Sequence, residues 1–156
     1  MSKALSFEQA IVATAHQKRD AAKARSSSIE AERPRDVIIR VCQTIADRLA
    51  GDGFSFVKSG MKLKSVQGER VHTILFQSDR NNIPGSRAAV WIHAGVQNAG
   101  SPEFIDGGQI GNLLAEHTWM EWDFANESTR EAEIDDAVAA IRRIILPFFA
   151  EFESRT

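Results

Sequence analysis

The chain has 156 residues, 43% of them hydrophobic and 26% charged, with 19 Lys and Arg against 21 Asp and Glu for a formal net charge of −2. That balance argues against a histone-like or generally basic nucleic-acid binder, whose electrostatic footprint makes the whole domain basic. The apolar content is that of a soluble globular domain and excludes disorder of the whole chain. One cysteine, Cys42, excludes an intramolecular disulfide and any zinc site built from several thiolates.

A single cysteine also suits a reducing compartment. The first residues lack the apolar run of a signal peptide, and no segment approaches the roughly 18 apolar residues of a membrane span. The sequence therefore predicts a soluble, cytoplasmic protein with no membrane partner. Charge is uneven: residues 1–70 carry 13 Lys and Arg against 8 Asp and Glu, and residues 71–156 carry 6 against 13. The two halves either attract each other, within one fold or between two copies, or are solvated helix faces.

In chain order, Ser6 and Gln9 have capping-box spacing, and Phe7, Ile11 and Ala15 repeat at helical intervals. The apolar face then fades into Lys18, Arg19, Lys23 and Arg25, and Ser26-Ser27-Ser28 interrupts it. Residues 1–33 read as an N-terminal helical arm, a route to homo-oligomers or to an acidic partner, such as segment 127–136 of another copy. The arm has no aromatics for base stacking, which makes nucleic acid a poor partner. Pro34 suits a first helical turn, and Val37, Ile38, Val41, Cys42, Ile45 and Leu49 form one stripe, with Gly51 and Gly53 at its end. Cys42 lies on that stripe as a small core residue.

After Gly53 the period becomes strand-like. Segments 54–58 and 61–64 predict one bent strand or a bulged pair, and 70–77 a second strand. In the third, Ala88, Val90, Ile92, Ala94 and Val96 point one way, and Ala89, Trp91, His93, Gly95 and Gln97 the other. Residues 98–111, rich in Gly and Pro, predict a long loop, and 109–115 a short helix. A fourth strand over 118–124 would turn Met120, Trp122 and Phe124 inward and Trp119, Glu121 and Asp123 outward. Ser128 and Glu131 form a capping box for a last helix with the stripe Ile134, Val138, Ile141, Ile145, Phe148 and Phe152, kinked at Pro147. The class is α+β: an antiparallel four-stranded meander with helices packed on one face, forming a single domain over residues 34–156.

The run 37–152 resembles a bacterial family catalogued only as a domain of unknown function, the one numbered 4304. The resembling residues include Asp52-Gly53-Phe54, Lys58-Ser59-Gly60, Ile74-Leu75-Phe76-Gln77-Ser78 and Ile92-His93-Ala94-Gly95-Val96. Ile110-Gly111-Asn112-Leu113-Leu114, the tryptophan strand Trp119 to Asp123 and Ile145-Leu146-Pro147-Phe148 complete them. The resemblance implies an α+β domain and supplies no catalytic residue.

Among the histidines, His16, His72, His93 and His117, none has metal-binding helical spacing. No nucleophile elbow occurs, and Gly107-Gly108-Gln109-Ile110-Gly111 has no following Gly-Lys-Ser/Thr to make a phosphate loop. No cofactor is called for. If the third and fourth strands share an outer face, Trp91, His93, Trp119, Glu121 and Asp123 line one surface. His93 would then exchange a proton, with Glu121 or Asp123 fixing its tautomer, or the tryptophans would anchor a protein partner. A further alternative packs the tryptophans under the last helix and leaves the carboxylates solvated. Whether His72 joins His93 depends on register. The leading expectation is a non-enzymatic interaction domain of bacterial or phage origin that binds another protein through its sheet face and long loop, an immunity or antitoxin-like role being one concrete form. The alternative is an enzyme or small-ligand binder centred on His93, Glu121 and Asp123.

Overall fold

Proline has no amide hydrogen to leave unpaired at a helix start, and the first helix, α1 (Pro34–Arg48), opens on Pro34. It buries Val37, Ile38, Val41, Cys42, Ile45 and Ala46. A computed structural model describes residues 31–155. The expected helix from Ser6 and its basic continuation lie outside the described residues. A 3-10 turn, Ala50–Asp52, follows α1, and Gly53 adopts φ 90°, a left-handed conformation that reverses the chain without a Cβ clash.

Six strands follow: β1 (Ser55–Val57), β2 (Lys62–Gln67), β3 (Arg70–Ser78), β4 (Ala89–Asn98), β5 (Phe104–Gln109) and β6 (Trp122–Asp123). They form one antiparallel sheet in the order β1-β2-β3-β4-β5, with β6 also paired to β4. The α+β class and antiparallel pairing agree with the sequence, whereas the strand count is six rather than four. Segments 54–58 and 61–64 are two strands across a 3-10 turn at Lys58–Gly60.

The larger corrections concern both flanks of β4. The expected loop over 98–111 contains β5, whose Asp106-Gly107-Gly108 centre has no apolar alternation. Backbone pairing with β4 makes it a strand. A Cβ on Gly107 would stand 2.2 Å from the carbonyl oxygen of Ala94, and φ there is +144°, so only glycine permits this close approach. The expected strand over 118–124 shrinks to Trp122–Asp123. β5 occupies the flank of β4 from His93 onward, and β6 pairs with β4 at Ala89 and Val90 alone.

The last helical region comprises α2 (Glu127–Ala140), a π turn (Ile141–Ile145) and α3 (Leu146–Ser154). The cap is Asn126, whose side chain accepts a hydrogen bond from the Ser128 amide, in place of the expected Ser128–Glu131 box. Glu131 instead pairs with Arg48 of α1, as does Asp135. Pro147 lies just past the π turn. It cannot donate a backbone bond to the preceding turn, and the widened ladder accommodates that loss.

One hydrophobic core joins the helices to the sheet. Leu63, Ile74, Phe76, Val90, Ile92 and Val96 meet the α1 stripe together with Ile134, Val138, Ile141, Ile145 and Phe149. His72 belongs to this side. Its ring stacks on Phe149 with centroids 4.4 Å apart, and its Nε2 donates to the Glu153 carboxylate at 2.9 Å.

Candidate functional site: the outward face of the sheet

Side chains alternate across a strand, so cross-strand pairs share a face. The pairing Leu63–Ile74–Ala94 faces the core. The neighbouring ladders face outward: Lys62–Leu75–His93–Gln109 and Lys64–Thr73–Gly95–Gly107, flanked by Gln77–Trp91. His72 pairs with Val96 on the core side and does not join His93.

Between Val96 and Gln97 the register of β4 against β5 shifts: Val96 pairs with Asp106, but Gln97 pairs with Phe104. Ile105 is the extra residue of a β-bulge, a device that re-aims side chains. Here Phe104 and Ile105 both line a cavity of about 410 Å³ whose floor is Thr73, Leu75, His93 and Gly95. The Phe104 ring covers Gly95, where a Cβ would stand 2.3 Å from a ring carbon. Phe104 is 55% exposed and Ile105 47%, so the cavity has an apolar wall with an open top. An adjoining hollow of about 480 Å³ shares Thr73, Leu75 and Phe104 and reaches Lys62, Lys64 and Gln97. The two form one trough across the sheet. Gln97 holds its upper end, accepting from the Thr73 hydroxyl at 3.3 Å and donating to the Pro102 carbonyl at 3.0 Å.

The structure distributes the five expected site residues among different tasks. Trp91 and Trp119 do meet, edge to face, with centroids 5.2 Å apart. Trp119 is 64% exposed, and the Thr118 amide anchors its segment to the Gly111 carbonyl at 3.1 Å. His93 donates from Nε2 to the Gln77 amide oxygen at 2.8 Å, and burial pushes its pKa below the ordinary histidine value. Its partner is an amide, not a carboxylate. Glu121 pairs with Arg87, which also reaches Asp79 at 2.9 Å. The Asn81 amide and Arg87 together hold the Asp79 carboxyl below its usual range. Asp123 accepts from the Ala88 and Ala125 amides at 2.9 and 3.0 Å, so it fixes backbone at the sheet end.

Two donors near His93, Trp91 Nε1 and Gln109 Nε2, are buried without a hydrogen-bond partner among the described residues. No group of three or more His, Cys, Asp and Glu side chains is placed to hold a metal among the described residues. No described helix is long and apolar enough to cross a membrane. Burial pushes the Cys42 thiol up to about 12, which keeps it protonated and unreactive.

Sequence reasoning missed Phe104, Ile105 and the Gly95–Gly107 pair. The available signal was Gly95, an outward glycine inside the most regular strand, since glycine at such a position marks close approach of another chain segment. Comparison with protein-family models, with curated proteins and with solved structures finds no match for this chain.

Proposed function

We propose that this protein is a partner-binding domain without chemistry of its own, that its helices cover one face of the sheet, and that a segment of another protein is received on the other. The carrying observation is the bulge in β5, which turns two adjacent large apolar residues, Phe104 and Ile105, toward solvent at the wall of a trough. Exposed apolar walls rimmed by polar groups mark interaction sites. The proposal concerns the strand face and the 98–111 segment together, in a cytoplasmic protein of bacterial or phage origin. An immunity-like contact through Glu121 and Asp123 has little to rest on, because both carboxylates already have partners within the fold. The same engagement leaves the His93-centred enzyme reading without a carboxylate to orient the imidazole. Membership of the 4304 family is proposed on the quoted motifs and brings no activity with it.

The test is affinity capture from a bacterial lysate, using wild type beside a Phe104→Ser/Ile105→Ser variant with an unchanged thermal melt. A protein retained by wild type, lost by the variant and shown to bind as a purified component supports the reading. Equal retention by both chains removes it.

A further inference from the structure

The charge on the trough identifies the chemistry of its occupant. Lys62 and Lys64 stand on the outward side of β2, two residues and so about 6.6 Å apart along the strand. Neither forms an ion pair among the described residues, and both line the second hollow. Among the residues that line the two hollows, the one carboxylate is Asp106, on the β5 wall, set against the two lysines; it accepts from the adjoining Gly107 amide at 2.8 Å. His93, with its pKa lowered by burial, is neutral near pH 7. A chain of net charge −2 therefore presents a locally positive trough with an apolar wall.

We infer that the trough binds an extended acidic segment of a partner protein, its carboxylates against Lys62 and Lys64 and an apolar side chain between Leu75 and Phe104. The inference rests on the partner-binding reading and names the class of segment. Apolar burial supplies affinity and the lysines select the sign of the partner.

The probe is a fluorescein-labelled heptapeptide, Glu-Glu-Leu-Glu-Phe-Glu-Glu, titrated with the full chain by fluorescence anisotropy. Controls replace every Glu by Lys, or Leu and Phe by Ser. The acidic apolar peptide should bind at least tenfold more tightly than either control and weaken as salt rises. Lys62→Glu/Lys64→Glu should abolish that binding and take up the lysine peptide instead, a reversal that unfolding does not produce. No binding, no preference for acid, or an unchanged affinity in the lysine double variant overturns the inference. If that variant still captures a partner that Phe104→Ser/Ile105→Ser loses, the acidic-segment inference fails while the partner-binding reading stands. If Phe104→Ser/Ile105→Ser loses nothing, the underlying reading fails first.

Discussion

β4 carries two surfaces on alternate residues. Val90, Ile92, Ala94 and Val96 are at most 5% exposed and pack among helix residues, while Trp91, His93 and Gln97 are half-buried. Each set is an unbroken period-two series, yet only one is closed over. The inner side chains are aliphatic and match the stripes of α1 and α2. The outer ones include an imidazole, an amide and a glycine, each engaged by a local neighbour: Gln77, Thr73 and Phe104. A strand thus separates a packed face from an open one by residue parity, and substitutions one position apart should report different things.

The sharpest break of that comparison is Ile92→Ala against His93→Ala. Ile92 is fully buried, and its truncation should cost about 2–5 kcal/mol through lost burial and a cavity. His93→Ala should cost less than about 1 kcal/mol, since it removes one partly solvated hydrogen bond. Urea unfolding of the two variants checks the difference, and equal losses would mean that the outward face is also packed.

Two glycines sharpen it further. Gly107→Ala forces a Cβ against the Ala94 carbonyl at a left-handed φ, which should cost about 1–3 kcal/mol and disturb β5 with it. Gly95→Ala meets the exposed Phe104 ring instead, which can swing aside, so stability should change by less than about 1 kcal/mol while partner binding weakens. Thermal melts and capture assays on the pair separate strain from a displaced wall.

Asn126→Ala should remove about 1 kcal/mol from the start of α2, with Ser128→Ala close to neutral; the reverse order in thermal melts would restore the Ser128 cap. The smallest effect is a pH dependence. Burial lowers the pKa of His93 in the folded chain, so the unfolded chain takes up this proton first. Its contribution to stability is present above the unfolded value of about 6.5 and is lost as pH falls through the folded value. Thermal melts at pH 7.5 and 5.5 should therefore diverge in wild type more than in His93→Gln.

Much of the fold was legible where burial and periodicity coincide. The α1 stripe from Val37 to Leu49 is buried as expected, because a helix that hides one side writes that side at 3.6-residue spacing. The alternation of β4 was legible for the same reason at period two. β5 was not, because its strand character comes from backbone bonds to β4, and exposed Phe-Ile-Asp-Gly-Gly carries no buried pattern. The strand over 118–124 looked stronger in sequence than it is in space, because alternation records how side chains divide between core and solvent, not whether a neighbour's edge is vacant.

The candidate site divides in the same way. The nearness of Trp91 to Trp119 followed from two outward indoles on neighbouring segments. The supposed His93–Glu121–Asp123 group did not form, because Gln77, opposite Trp91 on β3, takes the His93 imidazole while Arg87 and two backbone amides claim the carboxylates.

The sequence by itself determined the class, the apolar stripes and which side of β4 would be buried, since these follow from hydrophobicity read at a fixed backbone period. Tertiary structure alone decided that β5 would bulge at Ile105, that Gly95 would lie beneath Phe104, and that Lys62 and Lys64 would face the same trough. Those outcomes depend on register between strands remote in sequence, and backbone hydrogen bonds set register without marking any one residue.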